Sequence, residues 1–162
     1  MKNSFAITFS IGLAVIAVAV AGIMYMQRGA HMDLLGKILK VRTVATDEEN
    51  SVAVVDFQVT NPSDYPFMVR EVSLILESPD GSQSPGIVSS EVDAQRFFEG
   101  MPVLGPKAGK SLIGRESVPA RSTTAHIVLA QFRAPESKLQ ERKRFLVRIE
   151  EIDGKVYEFS EK

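Results

Sequence analysis

An unbroken apolar run near the N-terminus constrains this chain most strongly. Residues 5–26 read FAITFSIGLAVIAVAVAGIMYM and carry no charged side chain. As an α-helix rising about 1.5 Å per residue, the run would extend roughly 33 Å, which matches the hydrocarbon core of a bilayer. The sequence therefore predicts a transmembrane helix at 5–27, preceded by a short tail at 1–4 and followed by a juxtamembrane linker at 28–36.

A cleaved signal peptide is the alternative interpretation of this run, because Ala19-Val20-Ala21 resembles a small-x-small cleavage site. The apolar run continues past that site to Met26, which favours a retained anchor. Counting Lys and Arg alone would place the following domain inside the cell, but large domains cross membranes largely regardless of charge. We expect a single-pass protein of the cell membrane, in contact with membrane lipid. We favour an extracytoplasmic (periplasmic) over a cytoplasmic domain.

Small side chains recur along one stripe of this helix, at Ala6, Ser10, Ala14, Ala17 and Ala21. Helices in lipid associate by close packing, and small residues let two backbones approach each other. The stripe predicts that the helix docks on other membrane protein subunits. The alternative is that alanine is simply common in such anchors, in which case the stripe has no partner.

Beyond Lys37 the dominant pattern is the alternation of apolar and polar residues. In 51–60 the two faces of a strand separate as Ala53, Val55, Phe57 and Val59 on one side and Asp56, Gln58 and Thr60 on the other. One dry and one wet face is typical of an antiparallel sheet packed on a second sheet. Asp153-Gly154, between two alternating runs, predicts a closing hairpin. We therefore expect 37–162 to form an all-β, immunoglobulin/fibronectin-like antiparallel β-sandwich of about seven strands with two short helices, preceded by the transmembrane helix.

The first of the two short helices is predicted to carry an apolar surface. Ser90 can cap it, and Phe97, Phe98 and Met101 follow helical spacing. Because adjacent residues on a helix lie about 100° apart, Phe97 and Phe98 should not both reach the core. We expect these two side chains and Met101 to form a partner-binding surface. The second helix is predicted to begin at Pro135.

One stretch carries a family resemblance. Residues 55–69 read VDFQVTNPSDYPFMV, a strand that runs into Asn61-Pro62 and then into a second strand, and 117–132 read SVPARSTTAHIVLAQF. Both resemble the WHy domain (water stress and hypersensitive response) of group 2 late-embryogenesis-abundant proteins. The resemblance implies a seven-stranded fibronectin-like sandwich linked to stress protection rather than to catalysis. Independently of the family, Asn and Pro at this point are what a tight turn requires.

The composition excludes several kinds of chemistry. The chain has no cysteine, so it has neither disulfides nor thiolate sites. Its 19 basic and 20 acidic side chains give no reason to expect nucleic acid as a partner. Gly109-Lys110-Ser111 imitates the end of a phosphate loop but lacks the glycine spacing, and His126 has no candidate co-ligand in the domain. We expect no catalytic residue, no metal site, no cofactor and no small-molecule substrate.

These observations predict a noncatalytic, membrane-anchored β-sandwich that acts as a binding or stress-protective module of the WHy kind. The alternative is an accessory single-pass subunit of a larger membrane protein complex, docked through its transmembrane helix.

Overall fold

The computed structural model describes residues 2–27 and 33–161, with side chains described over 9–25 and 33–161. The chain divides into two compact units, Met1–Met32 and Asp33–Lys162. Helix α1, Lys2–Gln27, belongs to the first unit. The second unit contains the strands and the remaining helices.

Within the part of the chain that the structure describes, no helix is both long and apolar enough to cross a bilayer. On this finding the predicted transmembrane helix at 5–27 and the single-pass location in the cell membrane, with an extracytoplasmic domain, are wrong.

The second unit contains strands of very different length. The strands are β1 (Leu35–Ala45), β2 (Ser51–Asn61), β3 (Phe67–Glu77), β4 (Gln83–Pro85), β5 (Ile87–Val88), β6 (Lys110–Ser111), β7 (Ser117–Val118), β8 (Ser122–Phe132), β9 (Arg144–Glu151) and β10 (Val156–Ser160). Between them lie helix α2 (Glu91–Gly100), a 3-10 turn (Pro102–Leu104) and helix α3 (Glu136–Gln140). Four of the five longest strands, β2, β3, β8 and β9, provide most of the buried apolar side chains.

The strands form two five-stranded sheets. The first has the order β1-β2-β8-β5, and β6 pairs with β8 in parallel. The second has the order β10-β9-β3-β4, and β7 pairs with β3. The β2–β8 ladder is antiparallel over its full length, from Ser51 opposite Phe132 to Asn61 opposite Ser122. The β9–β10 hairpin closes at Asp153-Gly154, where Gly154 has a φ of 91°, as the sequence predicts.

The described residues thus form a β-rich, sandwich-like fold, but the predicted fold class is wrong in its particulars. There are ten described strands rather than about seven. The three described α-helices match the predicted number, but none of them is long and apolar enough to span a bilayer. The sheets are also not purely antiparallel, since β6 runs parallel to β8. Strands of two or three residues, such as β4 to β7, are too short to produce a readable alternation in the sequence.

The main core lies between the sheets. Its largest fully buried side chains include Phe57 of β2, Leu74 of β3 and Phe145 of β9. The ring of Phe57 lies 5.6 Å from that of Phe159, centroid to centroid. The dry face predicted for β2 is therefore confirmed.

The opposite face of β2 is not the wet face that the alternation indicated. Val52 and Val54 are fully buried on it and contact Ala94, Leu104 and Leu129, which together form a second cluster. Helix α2 and the 3-10 turn provide the cover, and Ser90 caps α2 by accepting a hydrogen bond from the amide of Asp93 at 3.2 Å. Consequently β2 is buried on both faces for most of its length.

Candidate functional site

A buried ion pair fastens the α2 segment, residues 91–106, to the first sheet. Arg42 of β1 donates to Asp56 of β2 at 2.6 Å, and the two side chains are only 11% and 10% exposed. The same guanidinium donates to the carbonyls of Leu104 at 2.6 Å and Pro106 at 3.0 Å. It also lies 5.2 Å from the ring centroid of Phe98. Arg42 thus joins the sheet to the segment that covers it.

A second ion pair secures the start of α2. Glu91 pairs with Lys107 and accepts a hydrogen bond from the amide of Ser111 at 2.8 Å. Burial opposes the ionisation of this carboxyl, but the hydrogen bonds from Lys107 and Ser111 outweigh it and lower the pKa of Glu91 to about 2. At neutral pH Glu91 is a fixed negative charge with a structural role.

The predicted partner surface on α2 is mostly turned inward. Phe97, Phe98 and Met101 are partly buried and pack against the second cluster. Neither phenylalanine is fully buried, which agrees with the prediction that Phe97 and Phe98 do not both reach the core. The apolar side chains that reach solvent here are Val92, 60% exposed, and Val103, 79% exposed. That these residues bind a partner stays a prediction.

The predicted helix-packing stripe lies on α1. Ser10, Ala14, Ala17 and Ala21 are exposed, whereas the side chain of Ala6 lies outside the described residues. Large apolar side chains on α1 are equally exposed, among them Phe9 at 63%, Val18 at 72% and Tyr25 at 76%. The stripe is therefore part of a helix that is exposed on all sides over 9–25.

Asn61, from the family-like motif, organises the turn between β2 and β3. Its amide group donates to the carbonyls of Tyr65 at 2.8 Å and Val118 at 3.1 Å. Its carbonyl oxygen accepts from the hydroxyl of Ser63 at 2.7 Å. Only 2% of Asn61 is exposed, and these hydrogen bonds supply its polar side-chain atoms with partners inside the protein. The motif has a structural function at this position.

His126 lies on the inner face of β8, with its ring 6.1 Å from that of Phe57. Its Nε2 atom is 2.8 Å from the hydroxyl of Thr124. Burial lowers the pKa of His126, and the negative charge of Glu116 opposes that effect. Among the described residues no group of three or more His, Asp or Glu side chains could hold a metal ion.

A cavity of about 690 Å³ lies along one edge of the first sheet, and it was not predicted from the sequence. One wall is the continuous stretch Gly36–Val41 of β1, and the other is formed by Arg142, Ser160 and Glu161. Successive side chains of a strand point to opposite faces. A cavity lined by six consecutive residues must therefore run along the edge of the strand, and we call it the edge groove.

A β-bulge shapes the edge groove. The pairing register of β1 against β2 shifts between Ile38 and Lys40, and Leu39, which has no partner in the register, is 54% exposed. The sequence contains a local sign of this bulge, because the adjacent apolar residues Ile38 and Leu39 interrupt the alternation of β1.

The charges around the edge groove are mainly positive. Lys37 and Lys40 are exposed, and neither has an ion-pair partner among the described residues. Arg142 is neutralised by Glu161 through contacts of 2.6 and 3.0 Å. Two uncompensated ammonium groups therefore border the groove.

Two smaller cavities lie elsewhere in the second unit. One, of about 350 Å³, is lined by residues that include Pro85, Phe132 and Lys138. The other, of about 500 Å³, is lined by residues that include Arg70, Ser89 and Gly114. The latter is also lined by consecutive strand residues, 70–73 of β3, but this stretch is shorter than the six residues of β1 that line the edge groove.

Comparisons with known proteins give no family. No family model and no curated protein matches the chain. Among solved structures, it is similar to the Northeast Structural Genomics Consortium target SoR45, at 8% identity and a TM-score of 0.42, over 82% of this chain and 85% of that one. It is also similar to the putative ApaA protein from Bordetella pertussis, at 14% identity and a TM-score of 0.34, over 80% and 89%. A protein from Archaeoglobus fulgidus matches at 13% identity and a TM-score of 0.39, over 76% and 92%. Structural similarities at these low identities and TM-scores do not support any inference about function.

Proposed function

We propose that the second unit is a noncatalytic binding module, similar to the WHy domain, that recognises a protein partner at the edge groove. The observation that carries this proposal is the position of the groove along the outer edge of β1. A strand edge presents backbone donors and acceptors to any chain that lies beside it. The bordering side chains Lys37, Leu39 and Lys40 add both charge and apolar contact.

The ionisation of two acidic side chains, Glu77 and Asp64, supports a binding rather than a catalytic role. Hydrogen bonds from Lys143 and Arg144 lower the pKa of Glu77, and a hydrogen bond from Arg121 lowers that of Asp64. A general acid or base works best when its pKa lies near the working pH. These carboxylates are instead held ionised by neighbouring cations, as in structural ion pairs.

The turn around Asn61 supports the resemblance to the WHy domain. The Asn-Pro pair ends β2, and the Asn61 amide holds this turn against Val118 of β7. The contact thus joins the two stretches that carry the resemblance, 55–69 and 117–132, and with them the two sheets. A protective role of the WHy kind is part of the same proposal.

The experiment for this proposal is a titration of the isotope-labelled protein with a set of short extended peptides, followed by backbone amide chemical shifts. We expect the shifts to concentrate on Gly36–Val41 and on Ser160. Shifts concentrated on 91–106 would move the site to the α2 segment. No binding by any peptide would contradict the proposed site.

A second candidate function is that of a subunit in a larger protein assembly, docked through α1. The observation in its favour is that the described apolar side chains of α1 are exposed, since exposed apolar patches of this extent usually mark an interface. Ala14→Leu and Ala17→Leu should then release co-purifying proteins, because larger side chains separate closely packed helices. Val15→Leu, on another face, is the control. Equal retention of all partners by the three variants would contradict this role for the stripe.

A further inference from the structure

We propose that the edge groove binds an extended, acidic segment of a partner protein, which adds to the first sheet as a strand beside β1. This inference rests on the proposed function and specifies its partner.

The direction of the backbone groups follows from one contact at the end of β1. The amide of Ala45 donates to the carboxylate of Glu136 at 3.2 Å, so it points away from β2. In an antiparallel pair, the residues whose backbone groups point outward alternate along the strand. Thr43 and Val41 therefore also present their amide and carbonyl groups to the outer edge.

Among the described residues, helix α3 covers the far end of this edge. Glu136 of α3 accepts hydrogen bonds from both the Thr43 hydroxyl, at 3.1 Å, and the Ala45 amide. The stretch Gly36–Val41 lies instead along the groove. At about 3.3 Å per residue it extends roughly 20 Å, which is the length of an ordinary strand of about six residues. Addition of a peptide strand to an exposed sheet edge is a common mode of recognition.

The bulge determines which side chains the added strand would meet. Lys37 pairs with Gln58, and Lys40 pairs with Asp56. Gln58 and Asp56 are two residues apart, so their side chains share the outer face, and the paired lysines share it with them. In a regular strand, residues three apart would point to opposite faces. The bulge at Leu39 thus brings both ammonium groups to one side of the groove.

This arrangement favours acidic residues at alternate positions of the partner. An unbulged strand beside β1 places every second side chain on the outer face, next to Lys37 and Lys40. Asp56 does not compete for Lys40, because Arg42 already pairs with it at 2.6 Å. A second copy of β1 would bring lysines against lysines, and like charges on adjacent strands are destabilising. The charges therefore select an acidic partner rather than self-association.

The test uses the full chain, kept dispersed in a mild detergent because the apolar side chains of α1 are exposed. Two fluorescent peptides are compared by anisotropy, Thr-Glu-Val-Glu-Val-Thr and Thr-Lys-Val-Lys-Val-Thr. We expect the Glu peptide to bind at least about tenfold more tightly, with a difference that shrinks as salt is added. Lys37→Glu combined with Lys40→Glu should reverse the preference. Lys110→Glu combined with Arg133→Glu, which changes the net charge equally at exposed sites elsewhere, should leave it unchanged.

A second measurement tests strand addition itself. N-methylation of the Glu peptide at alternate amides, on the edge that would face β1, should abolish binding, whereas methylation of the other set should be tolerated. Equal binding of the Glu and Lys peptides would refute the acidic partner, and indifference to both methylation patterns would refute strand addition. If the Lys peptide bound instead and shifted the amides of Gly36–Val41, this inference would fail while the proposed binding site would stand. Dimerisation through β1 would also overturn it.

Discussion

Removal of the Arg42 guanidinium should destabilise the domain strongly, because it leaves a buried charge without its partner. Arg42→Met keeps the aliphatic stem but leaves Asp56, only 10% exposed on its side chain, without a cation. It also removes the donor to the carbonyls of Leu104 and Pro106. Breaking a buried ion pair on one side costs about 3–5 kcal/mol. That is a large part of the roughly 5–15 kcal/mol by which most domains are stable.

The measurement is urea unfolding, in which a lower midpoint at an unchanged slope reports lost stability. Arg70→Met is the matched control, since Arg70 pairs with Glu150 at 3.0 Å but is 60% exposed. Exposed pairs contribute at most about 1 kcal/mol. The double variant Arg42→Met with Asp56→Leu should recover much of the loss, because apolar residues can replace a buried pair at little cost. If Arg42→Met and Arg70→Met lost equal stability, the idea that Arg42 fastens the α2 segment would be refuted.

Three further predictions concern the core and pH. Phe57→Ala should lower the free energy of unfolding by roughly 3–5 kcal/mol, since Phe57 is fully buried; a loss below about 1 kcal/mol would mean that it is exposed. Gly36→Ala should lower the thermal midpoint, because an added Cβ would lie 2.1 Å from the Phe159 ring; combining it with Phe159→Ala should cost less than the sum of the two single changes. Glu91→Gln should be less stable than the wild type at neutral pH. Because folding lowers the pKa of Glu91 from 4.5 to about 2, that stabilisation is complete above pH 4.5 and is lost as the pH falls toward 2. A stability difference that stays constant between pH 6 and pH 2 would contradict this account.

The candidate site shows where reasoning from sequence reaches its limit. The run 51–56, SVAVVD, is nearly continuous in apolar residues, which is typical of a strand buried on both faces. That signal could have revealed the cover over Val52 and Val54. The edge groove had no comparable signal, because a groove depends on two strands distant in sequence, β1 and β10. Only the bulge was visible locally, as the adjacent pair Ile38 and Leu39.

The sequence by itself determined the features whose causes lie within a few residues. The burial of Phe57, the cap at Ser90 and the hairpin at Gly154 each follow from side-chain alternation, a local hydrogen bond or a positive φ. The tertiary structure alone decided which strand faces are covered and which edges stay open. Asp56 is buried beside Arg42, which is itself held by the carbonyls of Leu104 and Pro106. Lys37 and Lys40 share a face because the register of β1 shifts against β2. These properties arise from contacts between distant segments, so a local pattern of residues can indicate that a face is covered or that a strand bulges but not which segment makes the contact.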